Sequence, residues 1–249
     1  MSEEKSSLVS HLEELRKRLK LISIAVVAGF LLCYASKDWI FKVLTKPLTE
    51  VLPQGQTLVF TSLPEAFIVY IKISFFASII LTSPFIFFQI WKFVAPGLEE
   101  KEKKAILPFV FFSTVLFLSG IVFCYFFALP PAFSFFMGFV SEYLAPMLTF
   151  REYLSFTLKL LLGFGICFEL PVLIYFLTKL GVLNYEKLAR NRRYAILVIF
   201  IVAAIVTPSP DAITQLIMAI PMYLLYEVSV FMAWISQKKK SREENSREE

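Results

Sequence analysis

Apolar and polar positions along this chain fall into long blocks rather than into a short repeat. Six apolar blocks stand out: Leu19–Ala35, Ala66–Ile90, Ala105–Phe136, Tyr153–Thr178, Tyr194–Val206 and Ile213–Trp234. Blocks of this length and poverty in charge predict membrane-spanning helices, because a spanning helix must satisfy every backbone group internally and face hydrocarbon along about 20 residues. The fifth block is short. Its residues 194–206 would rise only ~20 Å as a helix, against a hydrocarbon core of ~30 Å. Either the bilayer thins there or Thr207 and Pro208 continue the helix, shielded by neighbours. The sixth is similarly limited, since Asp211 and Glu227 bracket its apolar core.

The polar segments between the blocks alternate in charge. One set holds Arg16, Lys17, Arg18 and Lys20; then Lys92, Lys101, Lys103 and Lys104; then Lys187, Arg190, Arg192 and Arg193; then Lys238, Lys239, Lys240 and Arg242. The other set holds Lys37, Lys42, Lys46 and Arg151. The richer set belongs in the cytoplasm by the positive-inside rule, which places both termini inside. Between the first two spans, Trp39, Ile40, Val43, Leu44 and Leu48 sit at helical spacing and predict a surface helix on the outer leaflet. Met137–Thr149 is partly apolar and reads as a short interfacial helix. The polar tail, residues 236–249, reads as disordered.

Composition narrows the class. Hydrophobic residues make up 57% of the chain and charged residues 18%, which is more apolar surface than a water-soluble protein of this length can hide. The fold expected is an all-α integral membrane protein of six spans, with residues 1–249 forming a single membrane-embedded domain. The net charge of +5 follows from basic loops beside a membrane, and no basic-aromatic patch outside the spans points to nucleic acid. Cys33, Cys124 and Cys167 lie in apolar blocks without metal-ligand spacing, and His11 is the only histidine, so no metal and no cofactor is expected. The charged start followed by an apolar run looks like a cleavable signal peptide. It is too long and too acidic for one, carrying Glu3, Glu4, Glu13 and Glu14, and is read as a retained first span.

Some charges stand where charge is costly. Glu169 lies near the middle of the fourth span, just before Pro171. An acid at that depth must face protein, water or a partner: it is either a structural acid bonded inside the bundle or a working group facing a cavity. Lys72 and Lys159 are close enough to the outer ends of their spans to snorkel. Thr207 and Gln215, at the outer ends of the short spans, are either glue between helices or a docking surface.

The N-terminal segment 1–18 carries a second signal. Leu8, Leu12, Leu15 and Leu19 form an apolar stripe, and Ser10 with Glu13 has capping-box spacing, which predicts an amphipathic helix on the inner surface that turns into the first span. Its other face presents Glu14, Arg16 and Arg18, where an i,i+4 pair such as Glu14–Arg18 would be an ordinary solvated contact. In the first inner loop, Glu99, Glu100 and Glu102 stand among lysines. Topology explains the lysines but not the acids; carboxylates there are suited to a guanidinium, which binds them through two parallel hydrogen bonds.

Taken in order, His11–Leu12–Glu13–Glu14–Leu15–Arg16–Lys17–Arg18–Leu19, the Lys46–Pro47–Leu48 turn, Phe93–Val94–Ala95–Pro96–Gly97–Leu98 with Glu102–Lys103–Lys104, Phe164–Gly165 with Phe168–Glu169–Leu170–Pro171, Thr207–Pro208 with Asp211, and Gln215 with Ala219–Ile220–Pro221 resemble the TatC family of the twin-arginine protein translocase. The resemblance covers nearly the whole chain. It implies a glove-shaped bundle with a concave side, sited in the bacterial inner membrane. It implies export of folded proteins driven by the proton-motive force, with no nucleotide hydrolysis and no enzymatic step. It also implies a cytoplasmic site for twin-arginine signal peptides at Glu14 and Glu102, supported by Arg16 and Arg18 and bordered by Phe93, with Pro47 in the same set. Glu169 would face the concave side, Thr207 and Gln215 would lie where single-span TatA- and TatB-type partners dock, and the protein would act in an oligomeric complex. Two features depart from the family pattern: the extra acids Glu99 and Glu100, and the residue added by Ser209–Pro210 before Asp211.

Other functions fit less well. A solute transporter would show a half-to-half repeat and more midplane polar groups. An intramembrane enzyme would show a nucleophile elbow, a His-Glu-x-x-His or paired membrane aspartates, none of which occurs. A passive scaffold would tolerate free replacement of Glu14 and Glu102.

Overall fold

A computed structural model describes residues 2–51, 58–94, 106–139, 149–207 and 211–248. Among the described residues the chain is helical, apart from a single bridge between Val59 and Thr149. The helices are α1 (Ser2–Ala35), α2 (Lys37–Thr49), α3 (Glu65–Val94), α4 (Ile106–Phe123), α5 (Leu129–Met137), α6 (Phe150–Cys167), α7 (Leu170–Lys179), α8 (Tyr185–Arg190), α9 (Arg192–Val206) and α10 (Ala212–Glu248). Among the described residues five stretches are long and apolar enough to cross a membrane: His11–Ala35, Glu65–Val94, Ile106–Met137, Phe150–Lys179 and Ala212–Ile235. The remaining expected span is α9. At 15 residues it reaches ~22 Å, so its shortness is a property of the folded helix.

Several local expectations change. α1 is one continuous helix from Ser2, so Ser10 lies inside it rather than at its start, and the amphipathic segment does not turn before the first span. No Gly or Pro stands between Ser2 and Ala28 to break it. Lys46–Pro47–Leu48 is not a turn but the last part of α2, which runs on to Thr49. The tail read as disordered continues α10 through Glu248, because Gln, Lys, Arg and Glu are good helix formers on a helix already nucleated upstream. Most of the expected interfacial helix Met137–Thr149 lies outside the described residues.

The residues group into two compact units: Met1–Leu44 with Phe60–Val115, and Thr45–Val59 with Leu116–Glu249. In the first, α1 and α3 pack antiparallel. Arg18 meets Gln89 at one end, and Gly29 meets Ser78 and Thr82 further along. The approach at Gly29 is close: a Cβ there would stand 2.9 Å from Thr82 Cγ2. Ser74, Ser78 and Ser83 are buried on α3, their hydroxyls donating to the carbonyls of Tyr70, Phe75 and Ile80. Small hydroxyl residues that satisfy themselves on their own helix let two backbones come together without an exposed polar group. Trp91 closes the unit, stacking on Phe109 at 4.6 Å and donating its indole N–H to Ser113 Oγ at 3.2 Å.

In the second unit the third span widens into a π turn at Cys124–Ala128, where the Leu129 N–H reaches back to the Cys124 carbonyl. Pro130 and Pro131 follow. Two successive prolines remove two donors and push their rings toward carbonyls one turn back; the wider turn accommodates them. The fourth span is interrupted at Phe168–Glu169, between α6 and α7, with Pro171 in the first turn of α7. Gly120 lets α4 approach α6: a Cβ there would lie 2.7 Å from the Phe164 carbonyl oxygen and 2.8 Å from Phe168 Cγ. Gly165 gives the reciprocal contact, with Phe117 Cε2 2.7 Å from where its Cβ would be. Gly163 lies against Val206 of α9 and Met218 of α10.

Candidate functional site

One end of the first unit brings together Glu14, Arg18 and Phe93 of the residues singled out from the sequence. Glu14 and Arg18 lie one turn apart on α1. Arg18 donates to Glu14 Oε1 through Nε at 3.1 Å and also through Nη2. The expected i,i+4 pair therefore forms, but it does not stand alone. Arg18 Nη1 reaches across to α3 and donates to Gln89 Oε1 at 3.3 Å. One turn toward the N-terminus, the His11 ring stacks on Phe93 with centroids 4.5 Å apart and planes 24° apart. Antiparallel packing of α1 on α3 brings these five side chains together, although Arg18 and Gln89 are 71 positions apart in the chain.

The electrostatics follow from this geometry. The Arg18 side chain retains 13% of its accessibility and Glu14 retains 30%, so the guanidinium is largely covered while its carboxylate partner stays open to a ligand. Both bonds from Arg18 end on Oε1; Oε2 accepts none from the described residues. Carboxylates have about four lone-pair sites and accept from two guanidiniums without crowding. A second cation arriving at Oε2 meets an acid already oriented by the first.

Arg16 is exposed and lies about 200° round the helix from Arg18, so it is not part of this contact set. Glu102 lies outside the described residues, as do Glu99 and Glu100. Pro47 is buried in α2 and belongs to the second unit rather than to the one that holds Glu14 and Arg18. Gln89 and His11 were not singled out by their contacts in the sequence. Gln89 carried a usable signal, as a lone amide in the apolar run Phe85–Trp91.

The remaining residues sit in the second unit. Glu169 caps the interruption in the fourth span. Its backbone N–H donates to the Ile166 carbonyl at 3.0 Å, its carbonyl accepts from Leu173 N–H at 2.9 Å, and its Oε1 is buried. Thr207 is buried, and its hydroxyl donates to the Ala203 carbonyl at 2.6 Å, ending α9. Gln215 is half-buried and donates through Nε2 to the Phe200 carbonyl at 2.9 Å, tying α10 to α9. Asp211 caps α10 by accepting Thr214 N–H at 2.7 Å. Of these side-chain bonds, that of Gln215 joins two helices, while those of Thr207 and Asp211 lie at the ends of their own helices. Lys159 is exposed, as is Lys72 of the first unit. At the other end of the apolar stretch of α10, Glu227 accepts from Arg192 through both carboxylate oxygens at 2.9 Å, while Tyr223 O–H donates to its Oε1 at 2.8 Å. Among the described residues no group of His, Cys, Asp and Glu could hold a metal ion.

The fold and its site define a multi-pass α-helical membrane protein with an ordered carboxylate–guanidinium cluster at one end of a helix pair. The comparisons give that class its family. The chain belongs to the TatC family: residues 10–221 match the model of Sec-independent protein translocase protein (TatC). It is 46% identical to the Sec-independent protein translocase protein TatC of Desulforapulum autotrophicum over 242 residues, covering 97% of this chain and 89% of that one. The TatC of Magnetococcus marinus is 44% identical over 246 residues, covering 99% and 90%. A crystal structure of the twin-arginine translocase receptor TatC in DDM matches with a TM-score of 0.81 at 40% identity, over 90% of this chain and 99% of that one. The protein is therefore a membrane component of the Sec-independent translocase, acting in a translocase complex, and not an enzyme.

Proposed function

We propose that this protein is the receptor subunit of the translocase. The cluster at the inner end of α1 and α3 binds the arginine pair of a twin-arginine signal peptide. The observation that carries this reading is the open Glu14 carboxylate, oriented by Arg18 through a single oxygen. A planar guanidinium suits such an acceptor better than an ammonium does. Glu102 would supply the second carboxylate, Arg16 would add to the local field, and Phe93 with His11 would border the site. A structural relative described as the twin-arginine translocase receptor supports the assignment.

In this reading both termini are cytoplasmic, since the basic loops favour that side. The protein sits in the bacterial inner membrane as one functional unit, in an oligomeric complex with TatA- and TatB-type single-span proteins. Those partners dock near the outer ends of α9 and α10, around Thr207 and Gln215. Glu169 provides a polar group at depth for the signal peptide, and export is driven by the proton-motive force.

The test is peptide binding to the purified protein in nanodiscs. A twin-arginine signal peptide is compared with its twin-lysine form, on the native chain and on Glu14→Ala and Glu102→Ala. Arginine-dependent binding that both variants lose supports the reading. Equal binding of both peptides, or unchanged binding by both variants, rejects it.

A further inference from the structure

Gln89 is an uncharged amide, 6% exposed, on a helix that is otherwise apolar for several residues on the N-terminal side. A guanidinium has no acceptor, so the amide necessarily offers Arg18 its carbonyl oxygen. Arg18 has five N–H donors in a fixed plane. Nη1 is held by Gln89 on α3, while Nε and Nη2 are held by Glu14 on α1. The side chain is therefore fixed from two helices at once, and its plane determines which Glu14 oxygen is used.

From this geometry we infer that Gln89 is a positioning residue for arginine recognition. It anchors Arg18, and Arg18 in turn pins Glu14 through Oε1 so that Oε2 remains available to an incoming guanidinium. The inference rests on the receptor reading for its consequence, but not for its local geometry. Without Gln89 the Arg18 guanidinium is held from α1 alone. It can then rotate to engage both carboxylate oxygens in the fork arrangement that Arg and carboxylate favour. The resident arginine would occupy the position the substrate needs. A buried amide kept for this purpose affects selectivity between arginine and lysine more than it affects affinity for cations in general, because an ammonium needs no planar alignment.

The experiment uses the full chain in nanodiscs, with Gln89→Leu (similar volume, no acceptor) and Gln89→Glu (acceptor retained in the same place). Two readouts are taken. The first is the Nη1–H2 signal of Arg18 by low-temperature NMR on 15N-arginine-labelled protein, assigned by its loss in Arg18→Lys. The native chain and Gln89→Glu should show Nη1 held against rotation about its bond to Cζ, and Gln89→Leu a freely rotating, faster-exchanging Nη1. The second is the ratio of twin-arginine to twin-lysine peptide affinity. It should fall roughly tenfold in Gln89→Leu through weaker arginine binding, the size expected for a charge-assisted hydrogen bond, with lysine binding unchanged and Gln89→Glu close to native. The inference is overturned if Gln89→Leu leaves both readouts native, or if Gln89→Glu is as impaired as Gln89→Leu in a folded protein. Failure of the receptor reading looks different: the native chain and Glu14→Ala would then bind both peptides alike. In that case the NMR arm decides, and an Arg18 Nη1 already rotating freely in the native chain overturns the anchoring role.

Discussion

Arg18 binds Glu14 through two nitrogens that converge on one oxygen, Oε1, rather than spreading across both. An unconstrained Arg–carboxylate pair favours two parallel bonds, one to each oxygen. The departure has a visible cause in the third bond, from Nη1 to Gln89, which sets the guanidinium plane from the neighbouring helix. An i,i+4 pair that would be ordinary on an isolated helix thereby becomes part of a cluster that joins two helices.

Glu14→Gln keeps the shape of the side chain and a carbonyl acceptor but removes the charge. Twin-arginine peptide binding in nanodiscs is expected to weaken by roughly tenfold or more, since charge-assisted hydrogen bonds are about twice as strong as neutral ones. Thermal unfolding should change little, because Glu14 keeps 30% of its side-chain accessibility, the glutamine carbonyl still accepts from Arg18, and an i,i+4 helix pair adds only about 0.2–0.5 kcal/mol. A native-like affinity in the Glu14→Gln variant would count against the charge as the recognised feature.

Gly120→Val should destabilise the second unit. Its Cβ would lie 2.7 Å from the Phe164 carbonyl oxygen, a backbone atom that cannot move aside without shifting α6. Overpacking of this kind costs about 1–3 kcal/mol, measurable as a lower melting temperature by circular dichroism in detergent. Gly138→Ala is the control, as a Cβ there would come no nearer than 3.2 Å to another atom.

Asp211→Ala removes the N-cap of α10, whose carboxylate accepts the Thr214 N–H at 2.7 Å. The expected loss is about 1 kcal/mol, with Asp211→Ser or Asp211→Asn restoring most of it because both can still cap. Amide hydrogen exchange in the first turn of α10 should rise in the alanine variant while exchange deep in α10 stays slow. Uniform acceleration along the whole helix would contradict a local capping role.

Arg192 and Glu227 form a bidentate pair that ties the start of α9 to α10, with side-chain accessibilities of 48% and 31%. Solvent screening at that exposure holds the coupling to about 0.5–1 kcal/mol. A double-mutant cycle with Arg192→Gln and Glu227→Gln should give a value in that range that shrinks at about 1 M salt, where the Debye length is about 3 Å. Zero coupling at low salt would mean the pair is incidental.

The apolar blocks by themselves determined the class and the span positions, because hydrocarbon leaves a backbone no alternative to the helix over ~20 apolar residues. Ser2–Ala35, Glu65–Val94 and Ala212–Glu248 all contain the blocks read from the chain. The pairing of Glu14 with Arg18 was also legible, since an acid and an arginine one turn apart on a helix meet, whereas Phe93 came only from the family resemblance. Where helices begin and stop was less legible: Ser10–Glu13 has the spacing of a cap, yet a helix already running from Ser2 overrides it. Only the tertiary structure decided which polar groups face one another. Gln89 meets Arg18 because α1 and α3 run antiparallel at a separation set by Gly29 against Ser78 and Thr82. Likewise, only the tertiary structure shows that Gln215 donates to the Phe200 carbonyl and so joins α10 to α9. Partition into a membrane is a property of each segment's composition, whereas a hydrogen bond between segments depends on register and crossing distance, which no single segment encodes.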